Sequence, residues 1–230
     1  MTKVQLVVVC FLMLRCSKIC CAQQSLGKNE IYKDWIKSHP ASDKCDTVID
    51  QLSYDTKIEA ELQTAIRSLR SKGVDTLLVL VNLHPGVLIA DTCRSSNYPA
   101  EVYIFWRIGG KDSIRKSPNK CGLNGAESSC SPVFVFFSQH QHQLEREYIM
   151  PVILGARKEG SQITYDRIIS SDRDEYALYY SVHGHCRRFA FSQADVTNKT
   201  SLFYSDNIES QIYKWFVTLQ KECKKIGKNS

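Results

Sequence analysis

Two histidine pairs, His140-Gln141-His142 and His183-Gly184-His185, are the residues of this 230-residue chain best spaced for chemistry. On an extended backbone, residues two apart share a face, and imidazoles so placed are suited to holding a metal. Together they would supply four ligands for a metal-dependent hydrolase. Both pairs, however, fall in predicted turns, and no carboxylate or cysteine completes a ligand spacing. His185 precedes Cys186, as a base would precede a nucleophile, yet an exported chain favours a disulfide there. No G-x-S-x-G elbow, P-loop, H-E-x-x-H or dinucleotide fingerprint is present. "RIGGK" at 107–111 has adjacent glycines but no good helix after it, so it reads as a strand-ending turn. Asp172 and Asp174 sit in a predicted polar turn, where Asp bonds local amides. A non-enzymatic protein with no metal and no cofactor is expected.

The chain opens like an export signal. Lys3 gives a positive start, "VQLVVVCFLML" an apolar core, and "CCA" a small-residue cleavage point after Ala22. Arg15 and Lys18 leave cleavage after Cys16 or Ser17 as an alternative. The apolar run is well short of the roughly 20 residues that span a bilayer, so residues 1–22 read as a signal peptide and 23–230 as one secreted, extracellular domain. Removing Lys3, Arg15 and Lys18, with no acidic residue, lowers the net charge from +6 to +3. That is too weak a charge to imply nucleic acid, and no stable membrane insertion is expected.

Six cysteines remain after cleavage: Cys45, Cys93, Cys121, Cys130, Cys186 and Cys223. An even number in a secreted chain favours a disulfide framework. Cys121 and Cys130 bracket the turn-rich "GLNGAESS" and can close on each other. Cys223 would then pair with Cys93 or Cys45, with Cys186 a further alternative. Asn198-Lys199-Thr200 is a glycosylation sequon.

These residues must be positioned by a helix–strand–helix succession. "NEIYKDWIKS" is a short helical candidate. Ile58, Leu62, Ala65, Ile66 and Leu69 recur at helical spacing before Gly73, predicting a helix over 55–72. Strands are predicted at 76–83, 86–92, 101–108, 132–138, 148–155, 162–170, 175–182 and 186–192, with Pro151 demoting the fifth to an edge or bulge. A polar loop is expected over 109–131. A final helix over 206–225 carries Ile208, Ile212, Trp215, Leu219 and Cys223 on one stripe. In "RIISSDRDEYALYYSV" two antiparallel strands are expected around a polar turn. The second puts Tyr176, Leu178, Tyr180 and Val182 on one face and Glu175, Ala177, Tyr179 and Ser181 on the other.

The segment "ISSDRDEYALYYSV" resembles the late-strand segment of lipocalins, in which Thr-Asp-x-x-x-Tyr opens a strand. Ser171, Asp172 and Tyr176 match, with Ser in place of Thr, and a further strand and a C-terminal helix follow as in that family. The likeness covers residues 160–225, about a third of the chain. No Gly-x-Trp opens a first strand, and Gln193 stands near where a late Arg is expected. The resemblance implies a mainly β fold: a lipocalin-like antiparallel eight-stranded barrel with an N-terminal and a C-terminal helix. It implies a secreted carrier or sequestering protein for a small hydrophobic molecule, held by strand aromatics such as Tyr103, Phe105, Phe134, Phe136, Tyr176 and Tyr180. The alternative is a disulfide-bonded α+β open sheet that binds another secreted or cell-surface protein. It is motivated by the helix–Gly–strand junction at 66–81, whose strand is apolar on both faces.

Overall fold

The computed structural model describes residues 24–40, 56–83, 100–116, 130–169 and 174–226. The expected signal peptide, the expected strand 86–92 and Cys45, Cys93 and Cys121 lie outside these residues. Among the described residues no helix is long and apolar enough to cross a membrane.

Strand β2 (Thr76–Leu83) decides the architecture. Its six central residues are buried, whichever face they point to, so both faces need a cover. It pairs along its whole length with β3 (Ala100–Ile108) on one side and β7 (Glu175–Val182) on the other, both antiparallel. β4 (Lys111–Lys116) extends the sheet beyond β3, and β8 (His185–Ser192) beyond β7. The order β4-β3-β2-β7-β8 is an open antiparallel sheet. The expected eight-stranded barrel is therefore wrong: 76–83 and 186–192 do not pair, and the fold is an open α+β arrangement.

Helices cover both faces. On one, Leu62 and Ile66 of α2 (Thr56–Ser71) pack with Leu77, Val79, Val81, Ile104 and Tyr179. The helix stops in a Schellman arrangement: Gly73, at φ 77°, donates to the Arg70 carbonyl and Val74 to that of Leu69. The opposite face holds the larger core, built with α3 (Ser131–Leu144) and α6 (Gln211–Ile226). Leu178 and Tyr180 face this core, while Ala177 and Tyr179 face α2, as the alternation in β7 predicts.

Four other expectations need correction. Residues 132–138 form the first half of α3 rather than a strand. Pro132 suits the first helical turn, where its missing N–H costs nothing. Burial at Val133, Phe134, Phe137 and Leu144, with Val135 48% exposed, follows helical spacing. The "RIGGK" turn is a two-residue hairpin with Gly109 and Gly110 both at positive φ, and it continues into β4, where only a loop was expected. The stretch 167–182 is not a hairpin: β6 (Gln162–Arg167) pairs with β5 (Ile153–Glu159) in a separate small sheet, whose other edge carries β1 (Gln24–Ser25). The expected final helix breaks at Ser210 into α5 (Tyr204–Glu209) and α6.

One strap joins the two sheets. Residues 147–153 run extended into β5, and side chains supply most of the partners for their backbone. Asn207 accepts from Met150 N–H at 2.9 Å and donates to the Met150 and Asp195 carbonyls, each at 2.8 Å. Asp195, in the short α4 (Gln193–Thr197), accepts from Val152 and from its own cap residue Ser192. Ser201 accepts from Ile153 and Phe203. Glu147 accepts from Gln211 and Ile212 with its carboxylate, capping α6, while its carbonyl and that of Leu144 accept from the buried Arg187. Helix α1 (Lys28–Ser38) closes the small core through Ile31, against Met150, Ile153, Ala156 and Phe203.

Asn207→Ala strands one N–H and two carbonyls in the interior and is expected to cost about 3 kcal/mol, read by urea unfolding. A loss below about 0.5 kcal/mol would show that apolar contacts alone hold the strap. Burial pushes the Asp195 carboxyl above its ordinary range, against the opposing bonds from Ser192 and Val152. Its folded form binds a proton more tightly than the unfolded chain does. Its contribution to stability is thus full below the unfolded value and lost as pH rises through the folded one. The unfolding free energy of wild type relative to Asp195→Asn should fall as pH rises past the ordinary Asp value of about 3.9, and a flat difference would contradict the shift.

Candidate interaction surface

The β5–β6 pairing is interrupted where Ile153 pairs with Arg167 but Gly155 pairs with Asp166, leaving Leu154 as the extra residue of a β-bulge. Ile153 points into the small core, and Leu154 is left 45% exposed. Two backbone bonds bring further apolar residues beside it. Ile168 donates to the Val152 carbonyl at 3.3 Å, and Leu202 to the Ile153 carbonyl at 2.9 Å. Successive carbonyls of an extended chain point to opposite sides, so Ile168 and Leu202 flank the strand on its two edges. Ile168 is 40%, Ile169 84% and Leu202 37% exposed. Arg157, Lys158 and Arg167 are exposed on the same hairpin, with Asp166 lying 3.6 Å from Arg157. Apolar residues gathered inside a polar rim mark a binding surface more often than a fold requirement.

The aromatics expected to hold a ligand lie elsewhere. Tyr103, Phe105, Phe134, Tyr176 and Tyr180 are buried in the larger core, with Phe136 packed against it. The space in front of them holds side chains of α3 and α6. Phe137 lies 5.0 Å and Trp215 6.3 Å from the Tyr180 ring, and Phe216 4.5 Å from that of Tyr176, centroid to centroid. Burial raises the phenol pKa of both Tyr103 and Tyr176. A surface depression of about 560 Å³ lies by the end of α3, lined by Gln139, His142, Gln143, Arg146 and Glu147. Polar and charged residue types line it, and the Glu147 carboxylate is engaged at the α6 N-terminus.

The histidines do not form one site. His140 and His142 are on a helix, where residues two apart do not face each other, and His140 bonds Gln143 at 2.8 Å. His183 occupies the β7–β8 turn at φ 47°, and His185 starts β8. No group of potential ligands converges among the described residues. Cys186 is disulfide-bonded, which removes it as a nucleophile, and its sulfur accepts from Tyr179 at 3.3 Å. Cys130 and Cys223 are buried free thiols, so the expected tether of Cys223 is not formed and no complete disulfide pair lies within the described residues. Asn198 caps α4, and its side-chain oxygen accepts from both the N–H and the hydroxyl of Thr200.

Sequence reasoning missed the patch because Ile168 and Ile169 read as the end of a strand over 162–170, whereas β6 stops at Arg167. The irregularity at Pro151 was its one visible trace. Comparison with known proteins finds no matching family model, no matching curated protein and no matching solved structure.

The two sets of apolar residues should respond oppositely to substitution. Leu154→Asp and Ile169→Asp are expected to change the unfolding free energy by less than about 0.5 kcal/mol each. Tyr180→Ala should cost about 3–5 kcal/mol, measured in the same denaturant series. A mild Tyr180→Ala would mean that the ring borders open space.

Proposed function

We propose that this is an exported, non-enzymatic α+β protein that works by binding another secreted or cell-surface protein. The observation that carries this is that four exposed apolar residues, Leu154, Ile168, Ile169 and Leu202, lie on backbone segments that meet at the bulge of the small sheet. A carrier of a small hydrophobic molecule would instead need its apolar face open to the ligand, and here α3 and α6 pack against that face. Export is supported by the leader-like "VQLVVVCFLML", the bonded Cys186 and the partly exposed Asn198 sequon. The exposed Arg157, Lys158 and Arg167, on a chain of net charge +6, favour a partner surface apolar at its centre and acidic at its rim.

Labelled protein titrated onto extracellular ectodomains or intact cells is expected to bind saturably and more weakly at high salt. The Leu154→Asp/Ile169→Asp double variant should lose binding by at least about tenfold, or 1.4 kcal/mol, with its unfolding midpoint unchanged. Saturable binding that the double variant retains would overturn the assignment of the surface. Uptake of one fluorescent fatty acid, retinoid or amine per chain would overturn the function in favour of a carrier.

A further inference from the structure

The chain has one N-x-Ser/Thr sequon, Asn198-Lys199-Thr200, and the fold builds it into a surface turn. Asn198 ends α4 and is partly exposed, and Lys199 and Thr200 are exposed. The Asn198 side-chain oxygen accepts from the Thr200 N–H at 3.0 Å and from the Thr200 hydroxyl at 2.6 Å. This is the local bonding that Asn favours in turns. Its backbone N–H donates to the Ala194 carbonyl, and its carbonyl accepts from Ser201. The side-chain nitrogen Nδ2 takes part in none of these bonds. It has no partner among the described residues and is not buried. A bulky group on Nδ2 would therefore break no bond that shapes the turn.

The turn also has a definite place. The Ser201 N–H closes it on the Asn198 carbonyl at 3.1 Å, which keeps the two Cα atoms within about 7 Å. The Ser201 hydroxyl accepts from the Ile153 N–H at 3.4 Å, and the Leu202 N–H donates to the Ile153 carbonyl at 2.9 Å. The sequon is thus one turn from the backbone beside which Leu154 is exposed, on the Leu202 edge of β5 rather than the Ile168 edge. We propose that Asn198 carries an N-linked glycan and that this glycan forms the Leu202 rim of the candidate surface, leaving Leu154, Ile168 and Ile169 as the side open to a partner. The donor is a lipid-diphosphate-linked oligosaccharide met during export. Nδ2 attacks the anomeric carbon at the reducing end of the sugar. The nitrogen–carbon bond forms, the bond from that carbon to the diphosphate oxygen breaks, one amide proton goes to a base, and lipid diphosphate leaves. Nothing is oxidised or reduced. The product keeps the side-chain oxygen as an acceptor, so both Thr200 bonds survive. A hydrated, bulky glycan beside Leu202 turns a partner's apolar face towards the other edge.

Occupancy rests on the export proposed above and the rim on the surface assigned there, so the two are read separately. Full-length chain with its own leader is expressed in a secreting eukaryotic cell line, and medium and cells are mapped by glycopeptide mass spectrometry. Secreted protein bearing a glycan on Asn198 is expected, released by an amidase with conversion Asn198→Asp. Thr200→Ser should keep the glycan and Thr200→Ala should lose it, with circular dichroism checking that both fold. Secreted wild type without the glycan would overturn this inference and leave the proposed function standing. Chain found only in the cytosol would overturn export and this inference with it. Hydroxyl-radical footprinting of the purified protein reads the rim with no partner present. Oxidation of Leu202 should rise when the glycan is removed, and that of Ile169 should stay the same. Leu202 oxidised equally before and after, or Ile169 shielded as much as Leu202, would overturn the rim.

Discussion

The buried polar side chains that serve the backbone of residues 147–153 are the constraint on which the rest of the structure depends. An extended segment entering a protein interior must find partners for every N–H and carbonyl or lose the free energy of their hydration. Here the partners are not a neighbouring strand but Glu147, Asp195, Ser201 and Asn207, all but the first carried by the segment that follows β8. Chain distant in sequence is therefore committed to the strap, and the strap commits the small sheet to the large one. Asn207 makes three of its bonds in one place with almost no exposed surface. Such a network rigidifies only when complete, because one missing partner leaves several others unpaired.

The strap also explains how a small second sheet can exist beside a large one. Three strands, one of them two residues long, expose too much to persist alone. Ile31, Met150, Ile153 and Phe203 give the sheet a core of its own, and three of those four belong to the strap, its extension into β5, or the chain that binds it. The β5–β6 ladder is interrupted at Ile153, where the strap becomes β5, and it is there that the bulge leaves Leu154 exposed. These exposed apolar residues thus lie beside backbone held by the bonds at Val152 and Ile153. A binding surface placed so can lose apolar side chains without loosening the fold.

Much of the large sheet was legible in the sequence because local and tertiary preferences agree there. β2 is apolar at nearly every position, α2 shows a clean stripe ending at Gly73, and β7 alternates in a way its two cores reproduce. The barrel was preferred on strand count and the late-strand resemblance, although β2, apolar on both faces, already pointed to the open sheet that the structure has. α3 was misread for a different reason. "PVFVFFS" has the β-branched and aromatic composition of a strand, and intrinsic preference favours that state. The packing of Val133, Phe134 and Phe137 against the sheet and Trp215 outweighs it. The break at Ser210 was hidden because Ile208 and Ile212 keep helical spacing across it. The extended backbone at Ser210 and the cap bonds, from Tyr213 N–H to the Ser210 hydroxyl and from Gln211 N–H to Glu147, make two helices of one.

The candidate surface was less legible than the fold, and its residues show why. Ile168 and Ile169 have strand-core composition, and nothing local marks them as exposed. Their exposure follows from β6 ending its ladder at Arg167 opposite Ile153, a register fixed by the bulge rather than by the isoleucines. The aromatic residues erred in the opposite sense. Tyr103, Phe105, Tyr176 and Tyr180 do share one core, but composition cannot tell a lined cavity from a filled core. That difference lies in Trp215 and Phe216, more than thirty residues beyond β7, which the strap and its cap at Glu147 set down on that face. The interaction that builds the fold is therefore also the one that closes the apolar face and leaves the bulged small sheet with Leu154, Ile168 and Ile169 in contact with solvent.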